Sequence, residues 1–320
     1  MPGEIFALFA AVLWSLHMIF TKKAQSKNAQ SANPMHPMVG LFVTIFVNNV
    51  VNIFVLTVYL FIWTPVSINA AGVIAHCFAG IFNSFVGRGM LFTAVSILGA
   101  ARTGLTRAAM PVFVLLGGVL VLGERVSPLA WLGIGIVLLG LFMMSFDTVR
   151  RDNKKGVEAA QLDTAKSKAD QLRLIKGIAF GLGAAMMMGS GNILRKAGVT
   201  LIPDTIVAVF IGSFSALFIC VTVLLFRHKG REMLLAIKNI KFYYMMSGML
   251  ASAALYTTVY SLTLIPVTIT NSLVSIEPLF TIFFVWVLKE GTKEKLGIQT
   301  LFFGVLMVIG AIILVTSGLS

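Results

Sequence analysis

The sequence predicts an all-α polytopic membrane protein: ten transmembrane helices arranged as two inverted five-helix repeats. Four observations carry this expectation. Apolar residues make up 58% of the 320-residue chain and charged residues only 12%, more apolar sequence than a soluble fold can hide without exposing large patches to water. Apolar runs of roughly 20 residues recur, each long enough to cross about 30 Å of hydrocarbon as a helix. The runs are continuous rather than alternating, which excludes a membrane β-barrel and leaves helices as the way to satisfy the backbone in lipid. Finally, one polar segment at 147–173, DTVRRDNKKGVEAAQLDTAKSKADQLR, divides the spans five and five.

In chain order the spans fall near 4–21, 37–62, 70–98, 102–122 and 128–146, then 174–194, 203–226, 242–264, 267–288 and 296–317. Residues 1–146 form the first repeat and 174–320 the second. Segment 147–173, rich in Ala, Lys, Asp and Gln, is a solvated, partly helical linker. The opening MPGE lacks a basic stretch before its apolar run, so 4–21 reads as a retained span rather than a cleaved signal.

The repeat is written in the residues. The run Tyr260–Glu290 carries Glu277-Pro278-Leu279-Phe280 and closes on Glu290; the run Ala94–Glu124 carries Pro111-Val112-Phe113 and closes on Glu124. Span 1 ends Thr21-Lys22-Lys23-Ala24, and span 6 ends Leu194-Arg195-Lys196-Ala197, 173 positions later. Gly133 and Gly140 in span 5 match Gly297 and Gly304 in span 10, small residues spaced to let helices approach closely. Five is an odd number, so the second copy enters from the opposite side, the layout of alternating-access transporters with a midplane site between the halves.

Net charge is +13. The cations sit in short loops between spans, where they set topology beside anionic lipid, and no nucleic-acid partner is expected. Lys and Arg following odd-numbered spans number 20, against three (Arg125, Arg195, Lys196) on the other side; basic loops stay cytoplasmic, which puts both termini outside. Cys77 and Cys220 lie inside apolar runs and offer neither a disulfide framework nor a zinc site. No metal or other cofactor is expected; the methionines, Met186, Met187 and Met188 among them, lack the Cys or His partners of a copper motif.

The duplicated Pro-aromatic and closing Glu resemble the EamA-type transporters of the drug/metabolite transporter superfamily, and the likeness covers nearly all residues outside the linker. Gly123-Glu124-Arg125 matches the family's Gly-Glu ending. The resemblance implies ten helices in two repeats and a membrane transport function. It also implies both termini in the cytoplasm, against the charge count. This chain departs from a symmetric pattern: Met110 stands where the second half has Glu277, and Arg107 lies three residues earlier.

Ionisable residues inside spans are costly and are functional candidates by default. Arg88, flanked by Gly87 and Gly89 in span 3, Arg107 in span 4 and Glu277 in span 9 would line a polar cavity between the repeats. Arginines there would draw a carboxylate or phosphate, and Glu277 a proton or an amine. The competing reading is a structural ion pair, with Arg107 snorkelling to the interface. Trp14 and His17 share a face of span 1; Asn192 lies at comparable depth in span 6, Tyr256 and Tyr260 are one turn apart on span 8, Asn271 begins span 9, and Asn83 lies near Arg88. Together they would give an aromatic wall with a few polar groups, the make-up of a small-metabolite site. Helix packing and interfacial anchoring explain the aromatics equally well. Asn48, Asn49 and Asn52 read as hydrogen-bonding links between helices.

A secondary transporter exporting amino acids or related polar compounds is the leading expectation, with an exchanger of phosphorylated or other anionic metabolites as its rival. No phosphate-binding glycine loop supplies an ATPase. No filter sequence supports a channel, and Gly189-Ser190-Gly191 without protease spacing makes a poor case for an intramembrane enzyme. The expected setting is the plasma membrane, a bacterial inner membrane, with lipid, a small-molecule substrate, a coupled proton or counter-substrate, and a second copy as candidate partners.

Overall fold

The computed structural model describes residues 2–31, 35–62, 68–98, 106, 109–159, 167–287 and 298–317. Among them secondary structure is helical throughout: α1 Pro2–Ala29, α2 Pro37–Ile62, α3 Ala70–Gly80, a π-helical turn Ile81–Gly87, α4 Arg88–Leu98, α5 Met110–Leu120, α6 Pro128–Ala159, α7 Ser167–Leu201, α8 Thr205–Phe226, α9 Gly230–Lys238, α10 Phe242–Leu264, α11 Val267–Val274, α12 Glu277–Val287 and α13 Ile298–Ser317. Five stretches are each long and apolar enough to cross a membrane: Pro2–Asn28, Pro37–Ile62, Ala70–Ala94, Ile175–Leu201 and Thr205–Phe226. With α10 and the shorter apolar helices they accommodate the ten-span reading.

The packing obeys an inverted two-fold. α1 lies along α10 as α7 lies along α3, the π turn and α4; α1 meets α11 and α12 as α7 meets α5. α6 pairs with its counterpart α13, and α2 with its counterpart α8. Glycines set the closest approaches. A Cβ on Gly80 would stand 1.8 Å from the Gly212 carbonyl oxygen, so α3 and α8 touch backbone to backbone. On α6, Gly133 faces Gly310 and Leu314, and Gly140 faces Met307. Gly304 meets Leu279 instead, and Gly297 lies outside the described residues. Asn48 and Asn52 of α2 donate to Ser252 (2.8 Å) and Ser213 (2.7 Å), tying α2 to α10 and α8.

Two spans differ from the hydropathy reading, and helix runs into the linker from both sides. The polar segment is helical where described, since α6 continues to Ala159 and α7 begins at Ser167. Span 6 runs on to Leu201, so Arg195 and Lys196, counted as loop cations, lie within the helix. Span 9, read as one run over 267–288, is not one helix: α11 ends at Val274, Ser275 and Ile276 form a turn, and α12 restarts at Glu277. Pro278 is the second residue of α12, and Pro111 is the second residue of α5 after Met110. A proline there removes an N–H that would have no helical partner anyway. The repeated Pro-aromatic pair therefore marks a helix start in both halves.

The closing glutamate of the first repeat serves the second. Glu124 accepts from the backbone N–H of Val267 (2.6 Å) and Thr268 (3.2 Å) and from the Thr268 hydroxyl (3.0 Å), a carboxylate on the donor end of α11. Lys196 donates to the carbonyls of Leu262 (2.7 Å) and Ile265 (2.9 Å) at the end of α10. Side chains from α7 and from the segment after α5 thus cap both sides of the α10–α11 corner. Glu290 lies outside the described residues.

Candidate functional site between the repeats

The polar groups converge where α1, the π turn, α4, α7, α10, α11 and α12 meet. Asn192 of α7 is the hub. Its Oδ1 accepts from Asn83 Nδ2 (2.8 Å) and Arg195 Nη1 (3.2 Å), and its Nδ2 donates to Asn271 Oδ1 (2.6 Å). Asn83 also donates to the Met188 carbonyl (3.1 Å), and Asn271 to that of Val267 (3.0 Å). One amide chain therefore runs from the first repeat through both parts of the second. Asn83 sits in the π-helical turn, a local widening that recurs at functional sites.

Arg88, 9% exposed, begins α4 directly after that turn, and its guanidinium stands 5.2 Å from the Trp14 ring centroid. Trp14 donates from Nε1 to Thr258 (3.2 Å) and meets the His17 ring edge-on at 5.4 Å. His17 Nδ1 lies 2.8 Å from the Ser247 carbonyl oxygen, and Thr21 and Ser247 share a hydroxyl contact at 2.7 Å. Arg195, bonded to Asn192, is a second buried guanidinium of the region. Glu277, 5% exposed, occupies the start of α12, where the helix dipole favours a negative charge. One turn on, the Thr281 hydroxyl lies between the Glu277 carbonyl (3.1 Å) and the Ser15 hydroxyl (3.0 Å), which fastens α12 to α1.

Of the residues singled out from the sequence, Asn83, Asn192 and Asn271 form one hydrogen-bonded chain, and Arg88, Trp14 and His17 form one stack. Glu277 is buried at the restart of the broken span. The Tyr256 hydroxyl is buried with no hydrogen-bond partner among the described residues. Tyr260 is 41% exposed on the outer face, edge-on to Phe6, apart from the others. Arg107 lies outside the described residues.

Sequence reasoning passed over Arg195, which is 5% exposed. A signal for it existed: by the repeat it occupies the position of Lys22, at a helical and not a loop register. Thr258, Ser247 and Ser15 carried no signal, because isolated hydroxyls are common in apolar helices, where they bond to their own backbone.

Comparison with known proteins agrees with this architecture. The profile of the EamA-like transporter family matches residues 1–146 and 175–316. The chain belongs to that family, and is thereby a multi-pass membrane protein of the class that transports small solutes. A solved crystal structure of a protein superposes with a TM-score of 0.67 at 15% identity, covering 98% of each chain, a likeness of fold. No curated protein matches the sequence.

Proposed function

We propose that the protein is a secondary transporter in the plasma membrane, a bacterial inner membrane, that exports amino acids or related small polar metabolites by alternating access. The observation that supports this reading is the burial of Arg88, Arg195 and Glu277 around an amide chain that crosses from one repeat to the other. A zwitterion has a carboxylate for the arginines and an amine for Glu277, and Trp14 offers an aromatic wall. The amide chain and the broken span are the elements that rocking of the halves would rearrange. A proton or a counter-substrate supplies the driving force.

The test is thermal stabilisation of the purified protein over a metabolite panel, followed by counterflow in proteoliposomes. A substrate should raise the melting temperature of the wild type. Arg88→Ala and Glu277→Gln should each lose that shift and slow counterflow by at least tenfold. Wild-type rates and affinities in both variants would remove these residues from the substrate site. Flux that neither saturates nor shows counterflow would point to a channel.

A second reading is favoured by one observation. Arg195 is buried as Arg88 is, so the described residues of this site hold two guanidinium groups and the Glu277 carboxylate, a balance suited to a phosphorylated or other anionic metabolite. Counterflow that accepts organic phosphates and rejects zwitterions would select it.

A further inference from the structure

The short helix α9 (Gly230–Lys238) between spans 7 and 8 has two unlike faces. Ala236 is buried, and Met233 and Ile237 pack with Ala24, Tyr243 and Tyr244 in the cluster at one end of the bundle. The opposite face presents Arg231, Leu234, Leu235 and Lys238, the i, i+3, i+4, i+7 stripe of a single helical surface. Arg231 and Lys238 are exposed, and Leu234 and Leu235 are 60% and 52% exposed. Two leucines held between two cations with no protein over them are the pattern of a helix lying in a membrane interface, apolar tips in the acyl boundary and charges among headgroups.

The surroundings say what covers this face. Exposed apolar side chains flank α9 on both sides in the chain, Leu225 and Phe226 at the end of α8 and Phe242 at the start of α10, with Phe226 81% exposed. Those are the flanks of membrane spans, so what covers them is lipid. The charge is predominantly positive. Arg227, Lys241 and Lys22 are exposed, and Lys23 and Lys27 gather over the Tyr243 ring, Lys27 at 4.5 Å from its centroid and donating to its hydroxyl at 3.2 Å. The sole carboxylate of α9, Glu232, is off the exposed stripe and paired with Lys229 at 2.5 Å. We infer that α9 is an interfacial foot that binds the headgroups of anionic phospholipid, with Leu234 and Leu235 seated in the acyl boundary.

The test uses the full chain in detergent, with phosphatidylglycerol and phosphatidylcholine offered together and retained lipid read by native mass spectrometry. The wild type should retain phosphatidylglycerol preferentially. Each cation removed should weaken that retention about fivefold, the equivalent of about 1 kcal/mol. Arg231→Gln with Lys238→Gln should therefore bring it close to the phosphatidylcholine level, with the lipid-free melting temperature unchanged. Leu234→Ser with Leu235→Ser should lower retention of both lipids. Should the charge variant fail to fold, the wild type decides: its preference must collapse at about 1 M salt, where the screening length is near 3 Å. Equal retention of the two lipids by the wild type overturns the inference. So does an undiminished preference in a folded charge variant, or displacement of lipid by free glycerol phosphate at equal concentration, which would mark a soluble-anion site.

Discussion

Asn192 has one amide to satisfy three neighbours, and this concentrates the cost of changing it. Replacing it by leucine leaves Asn83, Arg195 and Asn271 each short of a partner at once. Side-chain hydrogen bonds between membrane helices are individually worth about 0.6 kcal/mol, but a buried polar group left unpaired costs about 1–3 kcal/mol, and a charged donor more. Asn192→Leu should lower the melting temperature in detergent and abolish substrate counterflow. Asn192→Asp keeps an acceptor for Asn83 and Arg195 and gains a charge toward Arg195, while losing the donor to Asn271; it should retain more stability than the leucine variant. Equal stability in all three proteins would show that the amide chain holds nothing together. Three members of this chain could be picked from the sequence because an asparagine in a twenty-residue apolar run is conspicuous. Arg195 could not be placed from hydropathy, since an apolar window ends at the first pair of cations. The helix itself continues to Leu201, because Asn192 and the carbonyls at the end of α10 receive the charges that water would otherwise solvate.

At the level of elements, Glu124 and Gly80 give contrasting tests. The Glu124 carboxylate receives two of the orphan N–H groups at the start of α11, those of Val267 and Thr268. Glu124→Ala should cost about 1–2 kcal/mol, the range for a lost helix cap, while Glu124→Gln keeps one acceptor oxygen and should lose less. Thermal unfolding in detergent reads both. Gly80→Ala forces a methyl group into the Gly212 carbonyl and should destabilise by about 1–3 kcal/mol or more, as overpacking does. Gly89→Ala, with open space where the Cβ would go, should be neutral or raise stability by the helix-propensity difference of about 1 kcal/mol. Similar losses at both glycines would refute the backbone contact between α3 and α8. The duplicated Pro-aromatic pair and Glu124 were visible in the sequence as a repeat, yet their roles were not. Nothing in an apolar run says that it stops at Val274 and restarts at Glu277. The π turn is equally silent, because it depends on how Asn83 and Gly87 meet α7 and not on local propensity.

For the molecule as a whole, the two ends of the bundle carry different charge. At one end the stretches 22–27 and 227–241 gather Lys22, Lys23, Lys27, Arg227, Lys229, Arg231, Lys238 and Lys241 against Glu232. The other holds Glu4, Glu124 and Asp204, with Asp204 capping α8 and accepting from Tyr59. Once Arg195 and Lys196 move from loop to helix, Arg125 is the one cation left in the chain's count on that side, so the asymmetry is sharper than loop counting gave. Cytoplasmic loops hold an excess of Lys and Arg because the anionic leaflet and the insertion machinery retain them. The basic end should therefore face the cytoplasm, with residue 2 and residue 317 on the outer side. In a Cys77→Ser, Cys220→Ala background, a cysteine replacing Arg231 should react with an impermeant maleimide only after cells are permeabilised. A cysteine replacing Arg125 should react on intact cells. The reverse pattern would put both termini in the cytoplasm, as the family likeness implies, and would mean that packing of the two repeats outweighs loop charge in setting this protein's topology.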